Sequence, residues 1–205
     1  MKTTLIRWSN IHEHGPLWYN HHKLRKQIFV DEAGWDIPHS EEVEWDQYDT
    51  PLTTYVITHA GDRVLAATRI LPCSFAARGQ SYMIRYATLG RLDSIPETIL
   101  DRPARTGKND YEITRFTTDM SLPRDERTEA LRVCAVESVH FLNAVGAEHG
   151  LILMPPGFAG WFRRIGIGVR RVGPVTENAR GERFCVMEGR APFWLEAKEP
   201  GREAA

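Results

Sequence analysis

Arg69 lies in the run RVLAATRIL, where strand alternation sets it on one face with Leu65, Ala67 and Leu71. A guanidinium cannot shed its proton to escape apolar surroundings, so a buried Arg69 requires a carboxylate partner. On an edge strand its head would reach water instead. Asp46 and Asp49 stand three apart in EWDQYD. One tight turn would aim both the same way, to hold a cation or clamp a guanidinium. Glu41, Glu42 and Glu44 precede them, so the stretch also reads as an acidic loop in solvent. YEITRF carries Glu112 and Arg115. A spacing of three puts them on opposite faces of a regular strand, and only a bulge would let them share a cleft. Phe29, Trp35, Trp45 and Tyr48 surround the acids, and aromatics beside carboxylates suit a cationic, partly apolar ligand or ordinary helix packing.

Other chemistries find no support. His12, His14, His21 and His22 match no zinc-ligand spacing, and no metal site is expected. There is no GxxxxGK[ST] loop, no GxGxxG and no GxSxG elbow. Cys73, Cys134 and Cys185 form no CxxC pair and read as reduced thiols of a cytoplasmic protein. With 26 Lys+Arg against 27 Asp+Glu, the formal charge of −1 argues against a nucleic-acid coat. The first residues lack the apolar stretch of a secretory signal, and no run is long enough to span a membrane.

The elements that must position these residues follow from periodicity. Leu17–Glu32 reads as a helix and Gly34–Thr50 as a loop. Thr53–Thr58 and Arg63–Leu71 read as strands joined through His59-Ala60-Gly61-Asp62, and Tyr111–Thr117 as another strand. Glu126–Glu148 is the clearest helix, with Leu131, Ala135, Val139, Leu142 and Val145 as its apolar stripe and Gly150 after its end. Leu151–Met154, Val169–Val172 and Arg183–Met187 are expected strands, and Phe158–Ile165 a short helix. This order predicts a single α/β domain over residues 1–195 with a mixed sheet covered on both faces. Residues 196–205 are expected to form a polar, flexible tail.

The blocks LRKQIFVDEAGW, EWDQYDTPLTTYVI, VLAATRILP, SYMIR and YEITRF, in that order and spacing, resemble the LuxI-type acyl-homoserine-lactone synthases, makers of quorum-sensing signals in bacteria. The resemblance runs from about Leu24 to Gly166. It implies a GNAT-like α/β/α sandwich with a twisted mixed sheet and a V-shaped cleft. It also implies acyl transfer from a thioester to the amine of S-adenosylmethionine, then lactonisation with release of methylthioadenosine. No prosthetic group is implied; S-adenosylmethionine is a substrate.

Carried over by position, Arg25, Phe29 and Trp35 fall on the adenosylmethionine side. Asp46, Asp49, Arg69, Glu112 and Arg115 match the family's charged set, with Glu112 the candidate base. Met83 and Thr114 fall beside the ligand. The acyl donor is expected to be acyl-carrier protein, with acyl-CoA as the alternative, and Arg163, Arg164, Arg170 and Arg171 offer a basic face for an acidic carrier. The acetyltransferase phosphate loop [RQ]xxGx[GA] is missing after YEITRF, which favours the carrier protein. LILMPP lacks the hydroxyl found in makers of 3-oxo signals, which favours an unsubstituted chain. The rival readings are an acyl-CoA-dependent N-acyltransferase acting on another amine and a non-catalytic ligand-binding relative.

Overall fold

The computed structural model describes residues 1–75 and 80–194. The tail expected at 196–205 lies outside the described residues. Among the described residues, eight strands form one sheet: β1 Lys2–Ile6, β2 Thr54–Ala60, β3 Arg63–Pro72, β4 Asp110–Thr118, β5 His149–Met154, β6 Ile167–Arg171, β7 Thr176–Glu177 and β8 Arg183–Trp194. Their order is β1-β2-β3-β4-β5-β8-β6, with β7 paired to β8. All neighbours run antiparallel except β4 and β5.

Residues paired across a ladder share a face. One face carries Ile70, Ile113, Ile152 and Met187 and packs under helix α3, Arg124–Ala144. The opposite face carries Leu71, Glu112, Leu151 and Glu188 in one row. Helix α2, Met83–Thr88, covers its apolar part. Helix α1, Gly15–Arg25, covers the β1–β3 end of this layer, and α4, Phe158–Arg164, joins β5 to β6.

The β4–β5 ladder is short. It runs from Asp110 paired with His149 to Ile113 paired with Ile152. Beyond that point β4 pairs only with β3, and Leu153 and Met154 pair only with β8. The two strands therefore part and open the V-shaped cleft.

Three local devices depart from simple periodicity. The first helix does not stay α-helical to Glu32; from Lys26 it continues as a π-helix, which rotates Phe29 inward. The long helix stops at Ala144, not Glu148. Gly146 at φ +67° takes the left-handed position after its end, so Gly150 belongs to β5 and Val145 is exposed. Between β3 and β4 the register slips: Ala67 faces Thr117 but Arg69 faces Thr114, so β4 carries one extra residue there. Strands β1 and β7 and helix α2 are additions to the elements read from periodicity. No helix is long and apolar enough, among the described residues, to cross a membrane.

Leu17, His21, His22, Leu24 and Arg25 form the buried face of α1. Burial holds the His21 imidazole well below its usual range and pushes His22 down to about 4. Burial acts oppositely on Glu112, raising its carboxyl to about 7. Near pH 5.5 the unfolded chain takes up two protons at the histidines, and the folded chain keeps one at Glu112. The balance of about one proton makes stability fall as pH drops below 6.5, by about 1.4 kcal/mol per unit. The urea midpoint should therefore fall from pH 7 to pH 5, and His22→Gln should flatten that slope. A midpoint independent of pH over this range would contradict the assignment.

Candidate active site

Six charged side chains from four segments converge where α1, the acidic loop, β3 and β4 meet. Arg25, at the end of α1, is fully buried. Its Nε donates to Glu44, and Nη1 and Nη2 grip Asp49 at 2.8 and 2.9 Å. Arg69, also fully buried, donates from Nη1 to Asp46 at 2.5 Å and lies 3.2 Å from Asp49. Its Nε reaches the Thr114 hydroxyl at 3.3 Å, and its guanidinium lies over the Tyr48 ring at 5.5 Å. Arg115 donates from Nη2 to Asp46 at 2.7 Å and to Glu44 at 3.2 Å. Tyr55 closes the set, its hydroxyl donating to Asp49 at 3.0 Å.

The solvated-edge reading of Arg69 is thus excluded, and the carboxylates it demanded are present. The condition set for Glu112 and Arg115 is also met. The extra residue in β4 coincides with Arg115 at φ +55°, which turns its side chain to the face that holds Glu112. The acidic loop divides: Glu41 and Glu42 are exposed as a solvated stretch would be, but Glu44 is completely buried and pairs with two arginines. Glu44 was not among the candidate residues. Its only trace in the sequence is the i, i+2 spacing to Asp46, which puts both on one side of an extended segment.

Electrostatics follow from three guanidiniums facing three carboxylates. Burial alone would raise Asp46 and Asp49. The Arg69 and Arg115 charges overcome this for Asp46, and Arg69 and Arg25 for Asp49, so both stay below the usual range. Glu112 is outside this set. It is fully buried and accepts the backbone N–H groups of Ile84 at 2.7 Å and Met83 at 3.2 Å, at the start of α2. Desolvation outweighs those donors and Arg69, and so the carboxyl titrates near neutrality.

Most donors in the cluster are spent on each other, but two are not. Among the described residues, Arg69 Nη2 is buried without a hydrogen-bond partner, and Arg115 Nη1 meets the Met83 sulfur at 3.8 Å. The ring of Phe29 lies under Arg115 at 5.3 Å and stacks on Trp35 at 4.8 Å and 19°. Trp35 is half-buried and its indole donates to Glu182. For Trp45 the helix-packing alternative holds: it is 52% exposed and packs outward against Trp18 and His22 of α1.

Across the sheet, an apolar cavity of about 30 Å³ lies beneath α3 at the divergence of β4 and β5, lined by Ile113, Phe116, Val139, Ile152 and Phe162 among others. Sequence patterns do not distinguish it, because a cavity wall and a packed core use the same residue types. Arg163, Arg164, Arg170 and Arg171 are exposed at the end of α4 and along β6, as expected. Arg170 is partly engaged, 3.2 Å from the buried Glu188, which Arg102 and Arg105 also hold.

Comparison with known proteins bears on the family and the fold. The family model described as autoinducer synthase matches residues 10–179. An acyl-homoserine-lactone synthase from Aeromonas salmonicida is 28% identical over 176 residues, covering 82% of this chain and 78% of the relative. One from Acinetobacter nosocomialis is 28% identical over 159 residues, covering 73% and 79%. TofI, solved in a ternary complex with an inhibitor and MTA, aligns with a TM-score of 0.73 at 21% identity over 93% of this chain and 91% of its own. BjaI, a CoA-dependent acyl-homoserine lactone synthase solved with SAM and isopentyl-CoA, gives 0.71 at 20% identity over 91% and 81%. Those two likenesses establish the shared GNAT-like fold, and the match across most of the sequence establishes more: this chain belongs to the autoinducer synthase family.

Proposed function

We propose that this autoinducer synthase transfers a fatty acyl group from a thioester to the α-amine of S-adenosylmethionine and then closes the homoserine lactone. The observation that carries the reading is the convergence of Arg25, Arg69, Arg115, Asp46 and Asp49 beside a buried carboxyl that titrates near neutrality. The six-charge cluster is neutral in sum once Glu44 is counted. Glu112 supplies one further negative charge when ionised, which matches the net positive charge of S-adenosylmethionine.

In this reading the spare donors of Arg69 and Arg115 take the substrate carboxylate. Phe29 and Trp35 face the sulfonium, a contact that favours aromatic π faces. Arg25 turns Nε, Nη1 and Nη2 onto Glu44 and Asp49 and so holds the acidic loop on the adenosylmethionine side. Met83 and Thr114 line the adjoining wall.

The α-amine, with a reference pKa of about 7.7–8.0, passes its proton to Glu112, directly or through one water. The freed nitrogen attacks the thioester carbonyl. Backbone N–H groups at the parted strands suit the developing oxyanion. Collapse breaks the C–S bond of the thioester; the sulfur takes the second proton lost by the attacking nitrogen and leaves as the thiol. The substrate carboxylate then attacks the carbon next to sulfur, the C–S bond breaks, and methylthioadenosine departs as a neutral thioether. Proximity accelerates this closure because both groups lie in one molecule. The apolar cavity between the diverging strands and α3 marks the wall on which the acyl chain is proposed to lie; at about 30 Å³ it must widen as the chain enters, and LILMPP presents no hydroxyl for a 3-oxo group.

Acyl-carrier protein is the proposed donor, docking on Arg163, Arg164, Arg170 and Arg171; acyl-CoA remains the chemical alternative. Methylthioadenosine release separates this function from N-acylation of another amine.

Two measurements follow. Glu112→Gln should lower kcat/KM by about 10²-fold or more. It should also remove the rise in wild-type activity through pH about 7, the pH at which Glu112 ionises. Activity within threefold of wild type with the same pH profile would contradict the base assignment. Reversing charge in Arg163→Glu with Arg164→Glu should raise the KM for acyl-carrier protein about tenfold at low salt, and leave the KM for S-adenosylmethionine unchanged. An unchanged carrier KM would place docking elsewhere.

A further inference from the structure

Trp35 stands in the long loop after the first helix, outside any regular element. Its orientation depends on the hairpin that joins β7 to β8. The Trp35 indole N–H donates to Glu182 Oε2 at 3.0 Å, across 147 residues of sequence. The hairpin is braced for this contact. Asn178 donates its amide to the same Oε2 at 2.7 Å, and its carbonyl oxygen accepts the backbone N–H groups of Arg180 and Glu182, each at 3.0 Å. Arg180 adds a second tie, donating from Nη1 to the Ala33 carbonyl at 2.9 Å. Gly34 between the ties is at φ +64°, and a Cβ there would come within 2.6 Å of Arg180 Nη1.

The chain of contact continues inward. Trp35 donates its backbone N–H to the Phe29 carbonyl at 2.7 Å, its ring stacks on Phe29, and Phe29 lies beneath Arg115. Glu182 falls past residue 179, where the family match ends, and it touches none of the six clustered charges.

We infer that Glu182 is a positioning residue: through the indole of Trp35 it fixes the aromatic pair that receives the sulfonium substrate. This rests on the S-adenosylmethionine reading above. An unanchored Trp35 would spend part of its time turned away from Phe29, so binding of the sulfonium substrate weakens while the chemical step is spared.

The test is a double-mutant cycle on purified full-length enzyme, with methylthioadenosine release as the readout. Glu182→Ala is expected to raise the KM for S-adenosylmethionine about fivefold, with kcat and the acyl-donor KM within twofold. Glu182→Gln, whose amide oxygen still accepts the indole N–H, should stay near wild type. Trp35→Phe keeps the ring but loses the donor; adding Glu182→Ala to it should produce no further change. The inference is overturned if Glu182→Ala leaves this KM unchanged, if the two effects add in full, or if both substrates' KM values rise alike. The Trp35 indole N–H resonance, assigned by its loss in Trp35→Phe, should move in Glu182→Ala whether or not the enzyme turns over; a resonance that stays put also overturns the inference. A wild-type enzyme that releases no methylthioadenosine overturns the proposed function and the substrate named here, while the resonance still reports on the anchor itself.

Discussion

Burying a guanidinium that cannot be neutralised is the constraint around which this molecule is arranged. Arg25 and Arg69 are both fully buried, and Arg115 nearly so. Each needs a carboxylate, because removing one partner from a buried pair costs about 3–5 kcal/mol. Those carboxylates, Glu44, Asp46 and Asp49, come from a stretch with almost no regular structure. The arginines therefore dictate the loop's path. The Asp49 carboxylate also accepts the Asp46 backbone N–H at 3.0 Å, and Asp46 accepts that of Tyr48 at 2.9 Å, so the turn is held by the same acids that bind the arginines. Site and local fold are one network.

The sheet separates two kinds of chemistry. The charged cluster and Glu112 occupy the face under α1 and α2, and the apolar cavity lies on the face under α3. Between them, the pairing of β4 with β5 ends at Ile113 and Ile152. In the proposed reading, the polar substrate occupies the first face and the lipid tail approaches from the second. The excess residue in β4 serves this plan by turning Arg115 toward the polar side.

Much of this was legible in the sequence where a single physical requirement acted locally. The apolar run around Arg69 demanded a partner, and the alternation that placed it beside Leu71 held in β3. Glu112 and Arg115 were readable only as a conditional, since a bulge leaves no mark in residue types. Glu44 was hidden among exposed acids of the same kind. The switch to π-helix at Lys26 leaves no mark in residue types, and the short α2 escaped because it is fixed by tertiary contact: it begins where Glu112 accepts two of its N–H groups. For Trp45 the sequence left ligand contact and helix packing open, and the structure turns it outward against Trp18 and His22 of the first helix. Contacts such as Trp35 with Glu182 join distant segments and have no local signature.

A crystal structure of the enzyme with S-adenosylmethionine tests the central claim most directly. The account predicts that the substrate carboxylate meets Arg69 Nη2 and Arg115 Nη1, and that the sulfonium lies within about 6 Å of the Phe29 or Trp35 ring. It also predicts that the Arg25–Asp49 pair stays intact. A ligand seated away from these groups, or a cluster dispersed into solvent on binding, would contradict it.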